Sequence, residues 1–223
     1  MSEGLTEQEL SELKQILREE FSDYYEKAGG RDYRYFHLKF VHRAVNELAG
    51  LQDISVLDFD HRVLEISALF HDIGRSKDIE DGFMDPFEGH EGHAATGSEI
   101  VSSFVSGYVS EEQLPRIEKI IENHHSDPET VEGKILQDAD DLAKYGVSDI
   151  WRMIHYASEE DMTIEEGYDN FRKTLLPRLK KGLEDFHFDS SVKIAETRLE
   201  KQKDFVEEMQ KEMNAEDFEG ISL

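Results

Sequence analysis

The chain has 223 residues, with 51 acidic and 25 basic side chains and a formal net charge of −26. A surface this acidic repels nucleic acid polymers and anionic lipid, so we expect neither a polymer nor a membrane as a partner. The absence of cysteine excludes disulfides and thiolate zinc sites. No apolar run approaches the ~18 residues of a membrane helix, and the polar start of the chain is not typical of a signal peptide. We therefore expect a cytoplasmic protein.

Apolar periodicity predicts an all-helical chain, and the length suits one domain. Thr6 with Glu9 is typical of a capping box and begins a helix that is predicted to run toward Gly29-Gly30. Polar, glycine- and proline-containing sequence over Arg75–Glu91 predicts a loop. The remaining helices are predicted at about 33–48, 60–73, 94–105, 111–124, 128–145, 149–157, 163–181 and 190–213, and Ser110 with Gln113 is the predicted cap of the helix that ends near 124.

The residues most informative about chemistry are His71 and Asp72, an adjacent pair at the end of an apolar segment. An aspartate at a helix C-terminus opposes the helix dipole, and a bound cation would offset that conflict. His37 lies on the apolar face of the second helix, where a core histidine is the alternative. Asp140 follows apolar residues, where an unpaired acid is costly, and a surface aspartate is the alternative. Together these four residues predict one metal site.

Three further histidines suggest a second set of ligands. His93 begins a predicted helix, and the pair His124-His125 ends another. Neighbouring helical residues point about 100° apart, so one of the pair can bind metal while the other contacts substrate or solvent. A second metal could use His93 with His124 or His125, bridged by Asp72. The alternative is a single metal with these histidines as hydrogen-bond donors to the substrate.

The donor types favour a divalent transition metal, as one ion or two. Imidazole and carboxylate without thiolate suit Mn²⁺ or Fe best, with Zn, Co and Ni as further candidates. The cations nearest to this site in the sequence are Arg75, Lys77 and Lys144, which are candidates for binding phosphate, with simple surface solvation as the alternative. Acidic residues of the predicted loop could orient water or accept a proton; these are Asp78, Glu80 and Asp81.

These motifs resemble the HD-domain metal-dependent phosphohydrolase superfamily, whose members present His, then His-Asp, then Asp on a helical scaffold. The segment Leu69-Phe70-His71-Asp72-Ile73-Gly74 is similar to the central motif of the family. The segment Ala139-Asp140-Asp141-Leu142 is similar to its Ala-Asp-x-Leu segment, which places the ligand at Asp140 rather than Asp138. The other similar segments are Tyr35–Val41, around the first histidine, and His93–Ile100, which resembles binuclear members with Ala94 in place of proline.

The resemblance implies a compact all-α multi-helix bundle with a C-terminal helical extension. It also implies a phosphohydrolase that cleaves a nucleotide or related phosphoester or phosphoanhydride by attack of metal-bound hydroxide. Asp72, Arg75 and Lys77 are then the expected catalytic residues. The alternatives are a di-iron oxygenase on the same scaffold and a nucleotide-binding regulatory module without metal, which the complete ligand set disfavours.

For the domain organisation we expect residues 1–30 to form an N-terminal helix that packs on the domain. Residues 31–146 would form the HD metal-binding core, and residues 147–223 would be helices that complete the domain.

The last predicted helix has apolar residues near heptad spacing, interrupted by Gln202. This pattern predicts either a self-association seam, which would give a homodimer, or a helix packed on its own domain. The second alternative is favoured because three heptads are the lower limit for a coiled coil. The seam residues are Val192, Ala195, Leu199, Val206, Met209 and Met213.

Overall fold

The computed structural model describes residues 4–22, 24–80 and 92–218. Within these ranges the chain is all-α apart from one short hairpin, so the predicted fold class is confirmed. No helix in the described part of the chain combines the length and apolarity that crossing a membrane requires.

The helices are numbered in chain order. They are α1 Glu7–Glu20, α2 Tyr33–Ala49, α3 His61–Phe70, α4 Arg75–Glu80, α5 His93–Ile100, α6 Ser102–Val105, α7 Leu114–Glu122, α8 Val131–Leu142, α9 Ile150–Glu159, α10 Ile164–Asn170, α11 Leu176–Gly182 and α12 Asp189–Met213. Between α10 and α11 the residues Phe171–Leu175 form a π-helical turn. The hairpin pairs β1 Tyr25–Glu26 antiparallel with β2 Gly30–Arg31.

The start of α1 follows the sequence prediction, but its end does not. The Thr6 hydroxyl accepts the Glu9 amide, and the Glu9 carboxylate accepts the Thr6 amide, which completes the predicted capping box. The helix ends at Glu20 rather than near Gly29. The chain then turns through the hairpin, where Gly30 adopts a φ of 84°, a left-handed conformation that favours glycine.

The predicted loop over 75–91 is wrong for its first six residues, which form α4 and pack against α5. Packing on a neighbouring helix here outweighs a polar local composition. Residues 81–91, with the candidate Asp81, lie outside the described residues, as do the side chains of Asp78 and Glu80.

Other predicted helices also differ from the structure, and the one predicted over 163–181 is divided by the π-helical turn into α10 and α11. The third helix ends at Phe70 rather than at Ile73. The helix predicted over 94–105 is divided at Val101 into α5 and α6. Helix α8 is capped by Thr130, whose side chain accepts the Gly133 amide, rather than by Asp127.

The core is built around α3, in which every residue from Val63 to Phe70 is buried. Most of these residues are apolar, which is typical of a helix in the interior of a protein, and α3 packs against α2, α7 and α8. Its C-terminal end therefore carries His71 and Asp72 into the middle of the bundle, where both are buried.

Helix α12 packs on its own chain. Ala195 and Leu199 belong to the main core, and Val206 belongs to a smaller apolar cluster. The interrupting Gln202 is fully buried, and its side-chain oxygen accepts the Gly146 amide 3.1 Å away. Burial of these three seam residues favours the packing alternative, although Met213 at the end of the seam is exposed. The homodimer stays a prediction, as do the domain boundaries at 30/31 and 146/147.

Candidate metal centre

The structure brings together the four residues that were predicted as the first ligand set. The His37 Nε2 atom lies 3.0 Å from Asp140 Oδ1 and 3.2 Å from His71 Nε2. The Asp72 Oδ2 atom lies 3.6 Å from His37 Nε2 and 3.5 Å from His71 Nε2. All four residues are buried. By contrast, Asp138 faces elsewhere and accepts backbone amides of residues 187 and 188.

A second cluster contains Asp72, His93, His124 and His125, whose candidate ligand atoms lie within 4.8 Å of one another. His93 Nε2 is 3.3 Å and His124 Nε2 is 3.7 Å from Asp72 Oδ1. His93 Nε2 is also 3.0 Å from His125 Nε2. Both adjacent histidines reach the cluster because α7 ends at Glu122, so the 100° helical spacing does not apply to them.

Asp72 lies between the two clusters and belongs to both. Its Oδ2 atom faces His37 and His71, and its Oδ1 atom faces His93 and His124. The two oxygens of one carboxylate thus face two different donor clusters. This arrangement makes Asp72 the centre of the site.

Gly74 allows the second cluster to approach Asp72. A Cβ atom at this position would collide with the carbonyl oxygen of His93 and would lie 2.6 Å from the amide nitrogen of Gly97. Only glycine permits α5 to pack this closely against the turn that follows α3. The glycine of the His-Asp-Ile-Gly sequence therefore helps to set the distance between His93 and Asp72.

Two of the histidines are oriented by backbone carbonyls. The Nδ1 atoms of His71 and His124 lie 2.9 Å from Ala68 O and 2.6 Å from Ile121 O. Because a carbonyl can only accept, each Nδ1–H donates, and the neutral ring leaves Nε2 with its lone pair toward the cluster. This tautomer is the one that binds metal through Nε2.

Arg34 and Glu26 are parts of the site that sequence reasoning missed. Arg34 Nε and Nη2 donate to the two carboxylate oxygens of Glu26 at 2.7 and 2.9 Å, while Nη1 forms an ion pair with Asp72 Oδ2. All three residues are buried. The available sequence signal for Arg34 was its position one helical turn before His37, on the same buried face. Glu26 gave none, because it was predicted to lie in the first helix.

The family model for the HD domain matches residues 35–145, which span both clusters. This chain is an HD-domain protein. No match is found among curated proteins.

Solved structures share the fold of this HD-domain chain. A predicted HD superfamily hydrolase from an uncultured Thermotogales bacterium is 26% identical, with 93% of this chain and 92% of that chain covered and a TM-score of 0.59. An HD-superfamily hydrolase from Bacillus thuringiensis is 21% identical, with 93% and 98% covered and a TM-score of 0.64. Bacillus subtilis YpgQ, solved in complex with ADP, is 20% identical, with 95% and 99% covered and a TM-score of 0.60.

The electrostatics of the HD site favour charged carboxylates. Burial raises the pKa of Asp72, but Arg34 and His71 outweigh it and hold that pKa well below its usual value. Burial also opposes ionisation of Asp140, yet a hydrogen bond from His37 and the nearby His71 and Lys144 hold its pKa well below the usual value. Burial lowers the pKa of His37, which favours the neutral imidazole. These protonation states are those that a metal ion requires.

The donor atoms fit divalent cations. The His124 Nε2 atom is buried and has no hydrogen-bond partner among the described residues. Although burial lowers the pKa of His71, the carboxylates of Asp72 and Asp140 outweigh it and raise that pKa, so a cation there would take the place of a proton. Imidazole nitrogens and carboxylate oxygens at this spacing suit transition ions better than Mg²⁺.

The predicted phosphate-binding cations differ in their relation to the site. Arg75 Nε lies 3.5 Å from Asp72 Oδ1, so this side chain is at the centre. Lys77 is on the same short helix and is half-buried. Lys144 is exposed and forms an ion pair with Asp141, with its Nζ atom 2.5 Å from Asp141 Oδ1.

Proposed function

We propose that this HD-domain protein is a metal-dependent phosphohydrolase that acts on a nucleotide or a related phosphoester or phosphoanhydride. The observation that carries the proposal is the position of Asp72 between two sets of imidazole and carboxylate donors, which are buried except for His125. Two metal ions that share a ligand suit the hydrolysis of phosphate esters.

The residues fall into two ligand sets under this proposal. His37, His71, Asp72 and Asp140 would hold one ion. The second ion would be held by Asp72 with three histidines, which are His93, His124 and His125. When bound, such ions lower the pKa of a water molecule and neutralise charge on the phosphoryl oxygens. Mn²⁺ or Fe is proposed first, with Zn, Co and Ni as further candidates.

The other residues of the site position these ligands and receive the substrate. Glu26 fixes the Arg34 guanidinium through two hydrogen bonds, and Arg34 in turn orients Asp72. A chain of net charge −26 repels anions, so a phosphate needs local positive charge. Arg75, beside Asp72, is the first candidate to bind a phosphoryl oxygen, and Lys77 is the second.

The nucleotide is proposed from chemistry and from a structural neighbour. Bacillus subtilis YpgQ shares the fold across nearly the whole chain and has been solved in complex with ADP. A phosphoanhydride presents several anionic oxygens to a centre that would concentrate positive charge. We therefore place nucleoside di- and triphosphates first in a substrate panel, ahead of simple phosphomonoesters.

The test is a hydrolysis panel with Mn²⁺ in which products are separated by chromatography. Asp140→Ala and Asp72→Ala should each lose bound metal and nearly all turnover. Asp141→Ala is the matched control, because Asp141 neighbours Asp140 on α8 but pairs with Lys144. Retention of both metal and turnover by Asp72→Ala, or no cleavage of any phosphorylated compound by the metal-loaded wild type, would contradict the proposal.

A further inference from the structure

A cavity of about 340 Å³ lies beside α9 and the helical run from α10 to α11. This volume is within the range of small-molecule sites, roughly 300–1,000 Å³. Much of its wall is apolar, formed by residues such as Met153, Phe171, Leu175 and Leu179. Its lining contains none of the residues placed above in the two metal clusters. The cavity thus offers an apolar space outside the metal centre for one organic molecule.

The charge of the cavity is opposite to that of the chain. Among the described residues, three cations line it, Lys144, Arg152 and Arg178, with one acid, Asp149, whereas the whole chain has about twice as many acids as bases. Lys144 pairs with Asp141, and Arg152 lies 3.4 Å from Asp149. Arg178 forms no ion pair within the described ranges, so its charge is available to a ligand.

A second cation in the wall also has unused bonding capacity. The Nε atom of Arg152 is buried and lacks a hydrogen-bond partner in the described structure. A buried donor without a partner is costly unless another group supplies an acceptor. The cavity wall thus combines the guanidinium of Arg178 with a second cation, Arg152, and both charges suit an anionic ligand.

The backbone of the cavity wall is unusual as well. Phe171, Thr174 and Leu175 line the cavity from the π-helical turn between α10 and α11. π-helical turns are rare and occur frequently at functional sites. Burial also raises the pKa of Asp149 to about 6, against the opposing effect of Arg152. A carboxyl group with a shifted pKa in a cavity wall is common in binding sites.

We propose that this cavity binds an organic anion, with an apolar or aromatic body against Met153 and Phe171 and its anionic group at Arg178. Two sources share this chemistry. The anion can be the substrate itself, since Asp149 and Arg152 also line the small pocket beside His37. It can equally be a separate effector. The proposal concerns binding, so it does not depend on hydrolysis at the metal centre.

The test uses the full chain and two fluorescent probes of similar shape, anionic 1-anilinonaphthalene-8-sulfonate and uncharged N-phenyl-1-naphthylamine. Trp151 on α9 is the only tryptophan, and its indole donates to Gly29 O, next to the cavity residue Ala28. Energy transfer from Trp151 therefore reports bound probe, and the variants described below report where the probe binds.

Arg178→Gln should weaken binding of the anionic probe about tenfold, the effect of one charged hydrogen bond, and leave the uncharged probe within about twofold. The matched control is Lys180→Gln, on the same helix but outside the cavity lining, which should change neither. Equal affinity of the anionic probe for wild type and Arg178→Gln would overturn the proposal.

A second variant tests the location. Thr174→Phe, at an exposed position of the π-helical turn, should fill the cavity and exclude both probes while the circular dichroism spectrum stays that of the wild type. Retention of both probes by this variant would overturn the proposal. Displacement of the anionic probe by ADP separates the two sources. If less ADP is needed in Mn²⁺ than in EDTA, the ligand is a substrate that spans both regions. If the same concentration of ADP is needed in both conditions, the cavity binds a separate ligand.

Discussion

Replacing Arg34 by methionine tests whether a buried arginine and a bound metal act on the same carboxylate. Arg34 is 6% exposed, and its partners Glu26 and Asp72 are 1% and 3% exposed. Methionine fills similar space without charge, so two buried carboxylates lose their cation. Removing one partner of a buried pair costs about 3–5 kcal/mol, and we expect a loss of this size in the free energy of unfolding when metal is chelated.

A divalent ion at Asp72 would restore part of the lost positive charge. A ligand at about 100 times its dissociation constant adds about 2.7 kcal/mol to the stability of the native state. Without the repulsion from Arg34, Mn²⁺ should bind the variant more tightly than the wild type. The difference in stability between the two proteins should therefore be smaller in Mn²⁺ than in EDTA.

The assay is urea unfolding followed by circular dichroism, in EDTA and in Mn²⁺, with linear extrapolation to water. Adding Glu26→Gln to the variant removes one of the stranded carboxylates and should return part of the stability. The control is Lys119→Met, whose ion pair with Glu129 is exposed and should contribute little. A difference between Arg34→Met and wild type that is the same with and without Mn²⁺ would refute the reasoning.

Three further predictions concern pH, packing and the reaction. Because the pKa of Asp149 is raised from 3.8 to about 6, its protonated form contributes stability that is complete below about pH 4 and is lost as the pH rises through 6. Relative to Asp149→Asn, the unfolding free energy of the wild type should fall by about 3 kcal/mol between about pH 4 and pH 6, as measured by urea titrations. Parallel pH profiles of stability for the two proteins would contradict this. Gly74→Ala should cost about 1–3 kcal/mol in thermal unfolding, because the new methyl group displaces His93, and an unchanged melting temperature would disprove the close contact. Chelation should abolish phosphate release, and Mn²⁺ should restore it better than Ca²⁺. The restored rate should be the same without O₂, and a requirement for O₂ would favour the oxygenase alternative.

The grouping of the first candidate ligand set could be predicted because its signals are local. His37, Asp72 and Asp140 are polar residues on or next to apolar helical faces, where an uncompensated group is costly. The helix periodicity placed each of them toward the core. Their convergence was inferred from the metal-binding chemistry of the donors taken together and from the family resemblance, since periodicity gives the face of a helix but not the neighbour that it meets.

The rest of the site depends on contacts between distant parts of the chain. Glu26 reaches Arg34 only because α1 ends at Glu20 and a hairpin follows, and no local pattern predicted that hairpin. Helix α4 forms on a polar sequence because α5 packs against it. His125 joins the cluster because α7 ends before it, and the end of a helix is the least certain part of a sequence prediction.

Counting bound metal in the wild type and in His93→Ala tests most directly whether two ions share Asp72. The Nε2 atom of His93 is 3.3 Å from Asp72 Oδ1 and belongs to the second cluster alone. Protein loaded with Mn²⁺, freed of unbound ion by gel filtration, is measured by plasma mass spectrometry. We predict about two equivalents in the wild type and about one in His93→Ala, with the first site intact. About one equivalent in both proteins would contradict a shared carboxylate between two metal ions.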